Sequence, residues 1–114
     1  MNEQRRRSTR KPADGVIQVV DAMTGVTVGR VSNLSVDGML LLTSGPMREN
    51  ALFQFSFSIS DATGRPVPLE IGVHEQWTEA ANAPGQYWSG FRIIDIAPAD
   101  QKLLAAWVDR SGVG

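Results

Sequence analysis

Between Ala51 and Ser60, in ALFQFSFSIS, the residues Phe53, Phe55, Phe57 and Ile59 alternate with Gln54, Ser56, Ser58 and Ser60. A strict two-residue period puts the apolar side chains on one face of an extended backbone and the polar ones on the other, so this segment has to be a half-buried strand. A strand needs partners, and the rest of the chain supplies them. GVIQVVDAMTGVTVGRVSNLS reads as two strands rich in Val and Ile, joined by a turn at Met23, Thr24 and Gly25. GMLLLTS is a short apolar strand. PLEIGVHEQW alternates again, with Leu69, Ile71 and Val73 on one face and Trp77 in the same phase, and QYWSGFRIIDI is the last strand. The connections SGPMREN, SDATGRP and EAANAPG are rich in Gly, Pro, Asn and Asp, as suits the tight turns of a small barrel.

The period changes at the end of the chain. In APADQKLLAAWVDRSG, Pro98 suits a first helical turn, Asp100 complements the positive end of the helix dipole, and Leu103, Leu104, Trp107 and Val108 form one apolar stripe. Arg110 sits near the carboxyl end and Gly112 is a stop signal. This helix, over about 98–110, is expected to cover an open face of the barrel. With 114 residues, no repeat and no linker, the chain reads as a basic arm, residues 1–12, followed by a single domain, residues 13–114.

Several function classes are disfavoured. There is no Cys, which rules out thiolate metal sites, disulfides and cysteine nucleophiles. The lone His74 is out of phase with the apolar face and has no second His with which to share a metal; the acidic residues are scattered without ligand spacing. Ser35 lies in no nucleophile elbow, and no phosphate loop or dinucleotide fingerprint precedes a helix. The expectation is a binding protein without metal or cofactor rather than an enzyme. No signal-peptide core or membrane-spanning run is visible, which points to the cytoplasm and away from membrane insertion.

Charge is segregated. Residues 1–12 hold five Arg or Lys and one Glu, a balance of +4, whereas the remaining chain holds six against eleven, a balance of −5. Most of the positive charge lies in RRRSTRK, residues 5–11. A terminal charge run is by default a solvated tail. An acidic body with one basic arm, however, suggests a localised anion site rather than general attraction to a polymer. A second polar cluster, NLSVDGM, residues 33–39, sets Asn33 and Ser35 two apart, so that on extended backbone both project from one face. Gly38 allows a sharp turn or a close approach.

Arg6 and Arg10 have the spacing Arg-x-x-x-Arg; Asn33, Ser35 and Gly38 follow about two dozen residues later as Asn-x-Ser-x-x-Gly. In this pairing the chain resembles the PilZ domain family over nearly its whole length. The resemblance implies a six-stranded antiparallel β-barrel with one C-terminal helix that binds bis-(3′,5′)-cyclic dimeric GMP (cyclic di-GMP). Carried over, Arg6 and Arg10 contact phosphates and guanine edges, Asn33 and Ser35 face a guanine, and Gly38 permits close approach. Guanine N7 and O6 are acceptors that a guanidinium fork matches. Asn stands where Asp is commoner in the family. Arg5 occupies the position that bears on whether one ligand or an intercalated pair is bound, and a third guanidinium there favours the pair. Arg7, Asp37 and Trp77 complete the candidate set; Trp77 has a ring able to stack on a base, but its phase assigns it to the core first.

Pro12 and Gly15 argue against a helix through the arm, which is expected to be flexible and to order on the ligand. The implied protein is a stand-alone second-messenger receptor that signals to an effector protein by contact. Two competing readings are a small barrel that binds RNA or DNA and a PilZ-fold adaptor without nucleotide. The acidic body and the lack of an interleaved aromatic platform count against the first, and the intact motifs against the second.

Overall fold

The computed structural model describes residues 9–110. Seven strands and one helix follow in order: β1 (Lys11–Pro12), β2 (Gln18–Asp21), β3 (Val26–Leu34), β4 (Gly38–Thr43), β5 (Leu52–Ser60), β6 (Pro66–Ala80), β7 (Tyr87–Asp95) and α1 (Pro98–Asp109). Six of the strands close on themselves. β2 pairs with β3, β3 with β4, β4 with β7, β7 with β6, β6 with β5, and β5 with β2, every pair antiparallel. The result is the six-stranded barrel with a C-terminal helix that the family resemblance implies, and closure leaves no long free edge.

The seventh strand is an addition. Lys11 and Pro12, which the sequence reading counts with the arm, pair with Leu34 and Asn33 at the end of β3. Pro12 has no N–H to give, but an edge position asks for none. Ala13 N–H donates to Ser32 O (3.0 Å), and Val31 N–H then donates to Ile17 O (2.9 Å), so β1 and β2 run along the same side of β3. Between them Gly15 has φ +147°, a conformation that a side chain disfavours.

Local sequence explains the turns. After β2, Asp21 O accepts from Gly25 N–H (2.7 Å) and its carboxylate from Met23 N–H (2.9 Å), with Gly25 at φ +78°. After β5, the Asp61 carboxylate accepts from the Thr63 hydroxyl (2.6 Å) and from the N–H groups of Thr63 and Arg65. The hydroxyl bond first, then the Arg65 amide, hold the Asp61 pKa below its ordinary value.

The core fills the barrel. Phe55, Phe57 and Ile59 from β5 are buried with Leu69, Ile71 and Val73 from β6 and Phe91 from β7. Phe91 meets the rings of Phe55 and Phe53 edge-on, at 5.1 and 6.0 Å between centroids. Helix α1 crosses the end of the barrel where β3, β5 and β7 finish, and Leu104, Trp107 and Val108 join the same core. Its end is tied down by Arg110, which donates to Ser60 O at 2.6 Å. The stop signal Gly112 lies outside the described residues.

One departure from the expected pattern concerns Trp77. The phase of Leu69, Ile71 and Val73 continues to Glu75, which is buried, and not to Trp77, which is 46% exposed. The cause is a bulge. Glu75 faces Phe91 and Trp77 faces Gly90, so one extra residue between them reverses the side-chain alternation. The Glu75 carboxylate is satisfied inside by Asn50 N–H (2.8 Å) and the Thr78 hydroxyl (2.7 Å).

Candidate functional site

Arg10, the described member of the arginine pair, meets the second motif at the β3–β4 turn. Asn33 is in the last part of β3, partly exposed, and Arg10 stands immediately before β1, so the β1–β3 ladder sets the two side by side. Arg10 Nη1 donates to Asn33 Oδ1 at 3.0 Å, across 23 residues of sequence. Gly38 lies beneath. A methyl group built on Gly38 would touch Arg10 Nη2 at 3.4 Å and crowd Phe91 O at 3.1 Å, so the guanidinium lies directly against the glycine.

Ser35 departs from expectation. The sequence places it on the same open face as Asn33, but extended backbone ends at Leu34 and Ser35 turns inward, fully buried. Its hydroxyl donates to Asp37 Oδ1 (2.9 Å) and lies 3.2 Å from Gly38 O, while its N–H donates to Gly38 O (2.9 Å). Ser35 thus closes the turn that presents Asp37, exposed, and Gly38. Asp37 O in turn accepts from Ile93 N–H (2.9 Å), which joins the turn to β7.

Trp77 belongs to the same outer surface. Asn33 is opposite Leu40, Leu40 opposite Gly90, and Gly90 opposite Trp77. Three strand spacings of about 4.8 Å put the Trp77 backbone roughly 14 Å from Asn33. The indole closes part of that distance by lying over Gly90, where a Cβ would come within 2.5 Å of Nε1. On its other side Trp77 walls a cleft of about 510 Å³ with Pro46, Met47 and Tyr87. That cleft also presents Glu49 and Glu79, with Glu75 buried behind them, whose charges repel a phosphate. An anion is therefore favoured on the Gly90 side, toward Arg10. Arg5, Arg6 and Arg7 lie outside the described residues.

One residue that positions the site was not singled out from the sequence. Lys11, next to Arg10, is buried; its Nζ donates to Trp107 O at 3.1 Å and sits 4.0 Å from the centroid of a Trp107 ring. A charge held in this way by a carbonyl and an aromatic face fixes the direction from which Arg10 leaves the barrel. The partners are 96 residues apart, so no local signal could reveal the contact. Among the described residues no cluster of three or more His, Cys, Asp or Glu could hold a metal ion, and no helix is long and apolar enough to cross a membrane.

Comparison with known proteins bears on the fold and the family. No curated protein matches the chain in sequence. In fold it is similar to the Bacillus subtilis inhibitor of motility (MotI/DgrA), with a TM-score of 0.78 and 14% identity over 96% of this chain and 52% of that one. The chain thus spans about half the length of that protein. It is also similar to the PilZ domain of YcgR from Escherichia coli, solved with c-di-GMP, with a TM-score of 0.70 and 17% identity over 96% of this chain and 93% of the other. The PilZ domain family model matches residues 4–110, which takes in every described residue, and the chain belongs to the PilZ domain family.

Proposed function

We propose that the protein is a receptor for cyclic di-GMP that binds the dinucleotide on the outer surface of the barrel at the β3–β4 turn. The observation that carries this reading is the 3.0 Å bond from Arg10 to Asn33, with the guanidinium over Gly38, which unites both halves of the motif in one place. A guanidinium and a carboxamide side by side offer donors for guanine N7 and O6 and for phosphate oxygens, together with one neutral acceptor. Asn33 and Arg10 are the contacting groups, and Ser35, Asp37 and Gly38 shape the turn beneath them. Arg5, Arg6 and Arg7 add cations from the chain that enters at Thr9, and Trp77 offers its exposed ring to a base. Ligand binding changes the charge and contacts of this surface, and the signal passes to an effector protein by contact.

Isothermal titration with cyclic di-GMP tests the reading, with GTP and a linear guanine dinucleotide as controls. Saturable binding of the cyclic ligand alone is expected; equal binding of all three would sink it. With Arg5 present, the titration is expected to approach two ligands per chain, and a clean one-to-one end point at saturation rejects the intercalated pair. Amides of residues 3–9 are expected to gain hydrogen-exchange protection on binding. Equal protection with and without ligand removes the arm from the mechanism.

Gly38→Ala is expected to weaken binding about tenfold, near 1.4 kcal/mol, because the new methyl crowds the Phe91 carbonyl at 3.1 Å and shifts the turn on which Arg10 rests. Full affinity in a folded Gly38→Ala variant would show that Arg10 does not need its place over Gly38.

A further inference from the structure

Strand β7 places a second arginine beside Gly38. Arg92 is directly opposite Gly38 in the β4–β7 ladder. Directly opposed residues of antiparallel strands project from the same face, with Cα atoms roughly 4.5–5.5 Å apart. Gly38 contributes no side chain, and Arg10 Nη2 stands 3.4 Å from where its Cβ would be. Arg10 from the arm side and Arg92 from the β7 side therefore stand on two sides of Gly38.

Both arginines are exposed, and among the described residues neither forms an ion pair. The ion pair of Lys11 with Asp14 is the one found among the described residues, and it involves neither Arg10 nor Arg92. The next residue in the row beyond Arg92 is His74, whose ring is engaged by Asn50 and Gln76 and brings no negative charge. An exposed Arg is by default a solvated charge. Two arginines about one strand spacing apart, beside a glycine and with no described carboxylate paired to either, instead form a binding place for an anion.

We infer that Arg92 is a ligand-contacting residue that pairs with a phosphate of the dinucleotide from the β7 side of the site. The inference rests on the receptor reading above. A cyclic dinucleotide carries two singly charged phosphodiesters on opposite sides of its ring, so an arm that grips from one side leaves a charge to be met from the other. Arg92 is placed to meet it, and its planar fork suits two phosphate oxygens at once.

The test is titration of cyclic di-GMP into the wild-type chain and into Arg92→Ala, Arg92→Lys and Arg65→Ala, at low and high salt, with ligand-free melting curves for each. Arg65→Ala removes one charge from the β5–β6 turn and controls for the general field. Arg92→Ala is expected to bind at least tenfold more weakly, with a flatter salt dependence and an unchanged ligand-free melting temperature; Arg92→Lys should fall between. Wild-type affinity in Arg92→Ala, or an equal loss in Arg65→Ala, overturns the inference and leaves the receptor reading standing. A wild-type chain that takes no cyclic di-GMP overturns both.

Discussion

Arg10→Ala is expected to weaken cyclic di-GMP binding by roughly 1–3 kcal/mol, about 5- to 150-fold, with little change in ligand-free stability. The affinity loss follows from charge. Arg10 is the described cation that touches the second motif, through Asn33 Oδ1, and the one that lies over Gly38. Its removal deletes a donor fork and a positive charge from the place where phosphate or guanine would sit. Stability should hold because Arg10 is exposed and its bond to Asn33 is a surface one, in the class where substitutions usually stay within about 0.5 kcal/mol. Arg10→Lys is an informative companion: it keeps the charge but not the planar fork, so a loss close to that of Ala would assign the contact to bidentate recognition. Titration and a urea melt on the same samples separate the two quantities. Unchanged affinity in Arg10→Ala would remove the central residue of the site.

Trp107→Ala should have the largest effect on stability, roughly 3–5 kcal/mol, the usual cost of deleting a buried aromatic. Trp107 is 1% exposed and, with Leu104 and Val108, closes the barrel end. Its ring also carries Lys11, whose ammonium would then face a cavity instead of a π face. Lys11 is joined to Arg10, so the same variant is expected to bind ligand more weakly even when folded. Trp107→Phe, which retains an aromatic face, should recover part of both. Equilibrium urea unfolding measures the first effect, and a loss below about 1 kcal/mol would show that α1 rests on the barrel without belonging to its core.

The fold was legible where periodicity is local. The alternation of Phe53, Phe55, Phe57 and Ile59 marked β5, and the stripe of Leu103, Leu104, Trp107 and Val108 marked α1, because each pattern reflects one face turned to one core. Trp77 was misplaced for an equally definite reason. A single extra residue after Glu75 reverses the alternation, and a bulge is set by the pairing of two strands rather than by either strand's letters. Ser35 was placed on the wrong side because its two-residue offset from Asn33 presumes extended backbone, which stops at Leu34 once the chain bends to form the β3–β4 turn.

The candidate site divides along the same line. Residue types and spacings of Arg6, Arg10, Asn33, Ser35 and Gly38 are properties of the chain, and they sufficed to name the family. That Arg10 reaches Asn33, that Lys11 is buried on Trp107, and that Arg92 stands beside Gly38 are decisions of tertiary structure. Each joins positions between 23 and 96 residues apart. Such contacts arise from barrel closure and strand register, which depend on every strand at once, whereas composition and periodicity describe only what each segment would do alone.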